Sequence, residues 1–335
     1  MISLGREIFP TLIGNDRIKN TLSADFASGK SAHAYILEGP MGSGKHTAAL
    51  AICAAVVCEN KENVSYALPC GKCDSCRKIL SSGSVDVMTV SNGDKASIGV
   101  DQVRHIKETM FIPPNDGEKK FYIIEKAHLM TTQAQNALLL SLEEPPPFVM
   151  FFLLCEDSSM LLDTVKSRAP TIRMEIFSAD FIESHLKRKY AIGADSEKLT
   201  YAAHLSGGAL GRAVELYENG DSELTVYKTA ADLISNLLSA RKSDALTFIA
   251  KEMPKSRRDT CEVLSYARLA LRDMIASKNG GELLFYSASA GIPTYAKKIS
   301  AKRILEISAA ISRAESLIEA NCSQNTVLTS LILNA

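Results

Sequence analysis

No apolar run of about eighteen residues or more occurs in this 335-residue sequence, so no segment reads as a membrane-spanning helix. The stretch from Met1 to Pro10 carries Arg6 and Glu7 and lacks the apolar core of a signal peptide, from which a cytoplasmic location is expected. Net charge is missing as well. The 38 Lys and Arg residues balance 38 Asp and Glu residues, so no global basic field marks a nucleic-acid binder. Any DNA contact would be local or made by partners. Disulfides are not expected either: in a reducing compartment, eight cysteines point to metal ligation or burial. What remains is ordinary for a globular chain of two or three domains, 46% hydrophobic and 23% charged.

The sequence is organised around Gly39-Pro40-Met41-Gly42-Ser43-Gly44-Lys45-His46-Thr47. An apolar run, Ala34 to Leu37, precedes it, and a helix-forming run, Ala48 to Val57, follows. Strand, glycine-rich loop and helix are the setting of a phosphate-binding loop. Glycines turn backbone amides inward, the helix N-terminus adds a positive field, and Lys45 reaches the outer phosphates of a nucleotide such as ATP or ADP. Gly39, Gly42, Gly44 and Lys45 lie in a stretch that fits G-x-x-x-x-G-K-[ST] up to the last place. A hydroxyl for magnesium belongs there. His46 occupies it, and Thr47 comes one residue late. Imidazole is a poor ligand for a hard cation that prefers oxygen. The loop therefore reads as a phosphate cradle with a damaged metal site. The run from Ala48 to Val57 is apolar on most sides and is expected to be buried on most sides.

Cys58, Cys70, Cys73 and Cys76 follow, the last three as Cys-x-x-Cys-x-x-Cys. Four thiolates can close a tetrahedral zinc site that has no open position for chemistry. Cys53 competes with Cys58 for the fourth place, but it falls inside the apolar helix, whereas Cys58 falls at its end. A structural zinc knuckle over about residues 58–76 is expected; an iron–sulfur cluster finds no support in nearby sequence.

Val85 to Val90 reads as a strand, and a helix begins near Ile98 with Asp101 as its cap. Phe121-Tyr122-Ile123-Ile124-Glu125-Lys126 is an apolar strand ending in a carboxylate, like a Walker B element. An active ATPase uses the first carboxylate for magnesium and the next residue to orient water. Glu125 takes the first place, but Lys126 cannot serve in the second. A helix over Thr131 to Glu144 and a continuous apolar strand, Phe148 to Leu154, complete an α/β alternation that predicts a parallel sheet with covering helices.

Taken together, these residues resemble the AAA+ clamp-loader subunits of bacterial DNA polymerase III over about residues 8–220. Besides the loop and cysteines, the resemblance rests on Ile98 to Arg104, on Ala134-Gln135-Asn136-Ala137-Leu138-Leu139 and its continuation through Ser141-Leu142-Glu143-Glu144-Pro145-Pro146, on Ser167-Arg168-Ala169, and on Gly207 to Arg212. The gamma/tau motor type keeps the hydroxyl and an Asp-Glu pair; here stand His46 and Glu125-Lys126. At the first sensor position, where the family usually has a hydroxyl or amide, the chain reads Cys155-Glu156-Asp157. The Ser-Arg pair survives, and the resemblance implies that Arg168 projects into a neighbouring subunit's ATP site. Loss of the chain's own hydrolysis with retention of that arginine is the pattern of the delta-prime branch. Arg212 matches the second sensor, either closing a lid onto nucleotide or capping a helical bundle.

The resemblance implies three parts. Residues 1–177 form the AAA+ nucleotide-binding-like domain, 178–221 a helical lid, and 222–335 an all-helical oligomerisation collar. It also implies a hetero-pentameric ring with gamma/tau and delta subunits that loads a sliding clamp onto primer-template DNA. The chain would lack ATPase of its own, within a DNA-directed DNA polymerase holoenzyme. The alternative is an active gamma/tau-type ATPase using Thr47 and Glu125, although the sequence lacks the long tail of tau. A P-loop kinase or a zinc-dependent nucleic-acid binder fits the later marks less well. Lys187-Arg188-Lys189, Arg257-Arg258, Lys297-Lys298 and Lys302-Arg303 read as solvated faces, and Cys155, Cys261 and Cys322 as small buried hydrophobes.

Overall fold

The computed structural model describes residues 6–28, 32–63, 65–93, 96–190, 195–238, 242–281, 283, 297 and 299–334. They divide into two compact units, Met1–Ile176 and Phe177–Ala335. Among the described residues, no helix is long and apolar enough to cross a membrane.

The first unit is built on five parallel strands: β1 (Ala34–Glu38), β2 (Val87–Val90), β3 (Lys120–Ile124), β4 (Val149–Cys155) and β5 (Thr171–Arg173). Their order is β2-β3-β4-β1-β5. Strands β3 and β4 are buried along their whole length, as strands covered on both faces must be. Side chains alternate between the two faces. Tyr35, Leu37, Phe121, Ile123, Phe152 and Leu154 pack with α1 (Asp16–Ser28) and α2 (Lys45–Val56). Ala34, Ile36, Tyr122, Ile124, Phe151 and Leu153 pack on the other face with α4 (Val100–Thr109) and α5 (Thr132–Glu143). As the sequence predicts, α2 is apolar all round and is buried from Ala48 to Ala55. A short helix, α3 (Asp74–Leu80), packs against it.

Two local expectations are corrected. Val85 lies outside β2 and is 62% exposed, because pairing with β3 begins only at Val87. Asp101 is not the cap of α4. Gly99 holds that position, its N–H donating to Gln102 Oε1 at 3.0 Å, while Asp101 sits in the first turn paired with Arg104. Thr131 caps α5, accepting from Ala134 N at 3.2 Å.

The second unit is helical among its described residues. Helices Ala179–Tyr190, Ser196–Leu205 and Leu210–Asn219 share a small core of Ile182, Leu186, Leu199, Ala202, Ala213 and Leu216. A larger core joins Asp221–Leu237, Lys242–Glu252, Arg257–Lys278, Ala301–Glu319 and Gln324–Asn334. Of the basic pairs, Lys297 is exposed, while Lys298 lies outside the described residues. Arg257 does more than face solvent: it donates to Ile318 O at 3.2 Å and Asn321 Oδ1 at 3.1 Å. Cys155 is buried, but Cys322 is exposed and Cys261 only half-buried, so burial does not account for those two.

Candidate phosphate loop and metal centre

Residues 39–44 leave the C-terminal end of β1, a strand flanked by β4 and β5. That edge of an open parallel sheet is where ligands bind. Gly39 is fixed by close approach: a Cβ there would sit 2.7 Å from Ser43 Oγ and 2.9 Å from Met174 Cβ. Gly44, with φ of 90°, turns the chain into α2 in a conformation side chains rarely adopt. Lys45 folds back over the loop, donating from Nζ to Gly39 O at 2.5 Å and Pro40 O at 2.8 Å. Burial lowers its pKa, and the nearby Glu156 and Cys155 act against that shift. Cys155 ends β4 beside the loop, its carbonyl accepting from Gly39 N at 3.1 Å; burial pushes its thiol up to about 12.

The residue that breaks the loop motif meets the carboxylate that follows β3. His46 Nε2 lies 3.7 Å from Glu125 Oε1. Thr47 is exposed on α2, and one residue along a helix is about 100° around it, so its hydroxyl does not fall where that of residue 46 would. Lys126 is exposed and left-handed, with φ of 49°. One loop residue escaped the sequence reading. Ser43 is 8% exposed, and its hydroxyl has no hydrogen-bond partner among the described residues. It fills a free position of the motif, so no pattern marks it.

Arg168 follows a short helix, α6 (Asp163–Lys166). Its guanidinium donates to Thr164 O at 2.8 Å and Ser167 Oγ at 3.1 Å, and it pairs with the Glu143 carboxylate at the end of α5. No local spacing links Glu143 to Arg168; the fold brings the two together. Arg212, in the second unit, is held by Glu215 at 2.8 Å and Glu223 at 2.5 Å.

The cysteine cluster forms as the spacing predicts. The sulfurs of Cys58, Cys70, Cys73 and Cys76 all lie within 4.8 Å of one another, with Cys70 and Cys76 at 3.9 Å. Tetrahedral zinc with sulfurs at about 2.3 Å would hold them about 3.8 Å apart, so the donor set fits. Cys53 is buried inside α2 and is not part of the cluster. Backbone N–H groups of Cys73 and Cys76 point at Cys70 Sγ and Cys73 Sγ, each at 3.4 Å, and Asn60 Nδ2 reaches Cys70 Sγ at 3.4 Å. Burial acts to raise the Cys70 thiol, but N–H donors from Asn60, Cys73 and Lys72 bring it down to about 6. Burial raises Cys58 and Cys76.

Residues 14–178 match the family model described as DNA polymerase III, delta subunit. Among curated proteins, DNA polymerase III subunit gamma of Buchnera aphidicola (Schizaphis graminum) is 30% identical over 214 residues, 63% of this chain and 58% of that protein. The chain is similar to the DNA polymerase III gamma and tau subunits. Subunit gamma/tau of Mycoplasma genitalium is 29% identical over 63% of this chain and 35% of that protein. Subunit tau of Escherichia coli is 27% identical over 68% of this chain and 36% of that protein. The chain thus spans between about a third and three-fifths of the length of these relatives. Among solved structures, a DNA polymerase III gamma subunit-related protein of Thermotoga maritima aligns over 93% of this chain and 97% of its own, at 15% identity and a TM-score of 0.45.

Proposed function

We propose that this chain is a clamp-loader subunit of the delta-prime type. It braces a ring with gamma/tau and delta subunits, and its Arg168 completes the ATP site of a neighbour while the complex places a sliding clamp on primed DNA. The observation that carries this reading is the filling of the metal places. His46 faces Glu125 where an ATPase would hold magnesium, and Lys126 takes the place of the water-orienting carboxylate. The phosphate loop and the sheet that supports it are otherwise intact, so the nucleotide fold is kept without its metal chemistry. Residues 178–221 serve as the lid and 222–335 as the collar. Arg212, tied to two glutamates, braces the helices of its own unit. Cys58, Cys70, Cys73 and Cys76 hold a structural zinc, and the work is cytoplasmic.

The test is Arg168→Ala in a reconstituted complex. An arginine supplied in trans is worth about a thousandfold or more in turnover at the site it serves, so DNA-stimulated ATPase should fall at least tenfold. Unchanged turnover would sink the trans role. A gamma/tau-type motor is favoured by one observation, the names of the curated relatives. It predicts magnesium-dependent ATP turnover by this chain alone, abolished by Lys45→Ala.

A further inference from the structure

The loop keeps its phosphate-binding parts after losing the hydroxyl that would ligate magnesium. Its backbone turns into α2, a helix of 12 residues, so free N–H groups open onto the cradle. Lys45 folds over the loop, its Nζ donating to two loop carbonyls. The Ser43 hydroxyl is buried, lies close over Gly39, and has no partner among the described residues. A buried hydroxyl without a partner is disfavoured unless a ligand supplies one. These groups all act on an anion. Glu156, near Lys45, opposes it, and so does Glu125, since a carboxylate beside a phosphate needs a cation between them. His46 is the group placed against the Glu125 carboxylate, at 3.7 Å.

We infer that this loop binds a diphosphate, as carried by a nucleotide, without a divalent cation, the His46 imidazole screening Glu125 in place of the metal. The inference rests on reading the loop as non-hydrolysing, but it does not depend on Arg168. In a magnesium-dependent loop the hydroxyl after the lysine and the acidic strand end hold the ion that bridges the phosphates. Here the imidazole bars that hydroxyl-and-carboxylate pair, and Thr47 lies a helix position away. Ser43 and Lys45 then carry the oxygen contacts that remain.

The experiment is calorimetric titration of the full chain with ADP and, separately, with inorganic pyrophosphate. It is run in metal-stripped buffer and again with excess magnesium, manganese or zinc, after checking that the cysteine site keeps its own metal. The expected result is an ADP affinity that changes by less than about threefold between metal-stripped and magnesium buffers. Lys45→Ala and Ser43→Ala should weaken it, and His46→Thr should make binding at least about tenfold tighter with magnesium than without. Pyrophosphate binding as tightly as ADP would support the cradle and assign recognition to the phosphates alone; ADP binding more tightly would support it with a contribution from the nucleoside. Tenfold weaker binding on removing magnesium, a requirement for manganese or zinc, or no binding of either ligand would overturn the inference. Those results, without ATP turnover, would leave the scaffold reading standing; magnesium-dependent turnover would overturn both.

Discussion

The guanidinium of Arg168 is held by the carboxylate of Glu143 in its own chain. Glu143 ends α5 and Arg168 follows α6, so the pair ties two helix ends on one side of the sheet. Both side chains are about one-third exposed, at 32% and 39%. A pair so open to solvent contributes less than about 1 kcal/mol, which makes the arginine cheap to release. Glu143→Gln should therefore lower the unfolding free energy by less than about 1 kcal/mol, read by urea titration. In a reconstituted complex it should leave ATPase unchanged or raised, whereas Arg168→Ala lowers it. Equal losses from the two variants would mean that Glu143 positions the arginine for its task rather than merely holding it at rest.

The cysteine cluster should bind one zinc ion per chain. Cys73→Ser removes a ligand that also anchors the first turn of α3, where its sulfur accepts from Cys76 N. That variant should lose zinc by atomic emission and lower the thermal transition. Each kcal/mol lost corresponds to roughly 2–4 °C for a domain of this size. Cys53→Ala, altering a cysteine outside the cluster, should keep its zinc. Because thiols must give up protons to bind metal, retained zinc should fall as the pH falls.

How far the sequence could be read depended on how local the signal was. The phosphate loop, the four cysteines and the apolar strands were legible, because short spacings and continuous apolar runs have few structural solutions. The face each strand residue would take was also implicit, since alternation sends Phe151 and Phe152 to opposite cores. Asp101 is a good capping residue by type, yet the cap of α4 lies two places earlier, at Gly99, where Gln102 satisfies the backbone N–H. Long-range pairings were not legible. Nothing in the sequence couples Glu143 to Arg168 across 25 positions, or His46 to Glu125 across the sheet. Those partners are set by how the parallel strands and their crossover helices align.

The sheet core makes a separate prediction. Phe152 is fully buried in β4 and stacks on Tyr35 of β1, with ring centroids 6.0 Å apart. Truncation leaves a cavity between strands that helices cover on both faces and that cannot collapse easily. Phe152→Ala should cost about 3–5 kcal/mol by chemical denaturation. Leu140→Ala, at a position 68% exposed on α5, should stay within about 0.5 kcal/mol. A comparable loss at both positions would contradict the burial of β4.

His204 gives the second unit a pH dependence of known sign. It lies near the end of the helix Ser196–Leu205, largely buried, and its Nδ1 has no hydrogen-bond partner among the described residues. Burial lowers its pKa below the ordinary 6.5, with Glu183, Asp180 and Asp273 acting in the opposite direction. The unfolded chain therefore takes up a proton at a higher pH than the folded one. The stability of the neutral form is fully present above 6.5 and is lost as the pH falls from there through the folded value. His204→Gln cannot take up that proton. Urea midpoints of the wild type and the variant, compared at about pH 8 and about pH 5, should converge or cross on the acid side because the wild type loses more. Parallel losses in both proteins would show that the acid sensitivity arises from other groups, and would exclude His204 as its source.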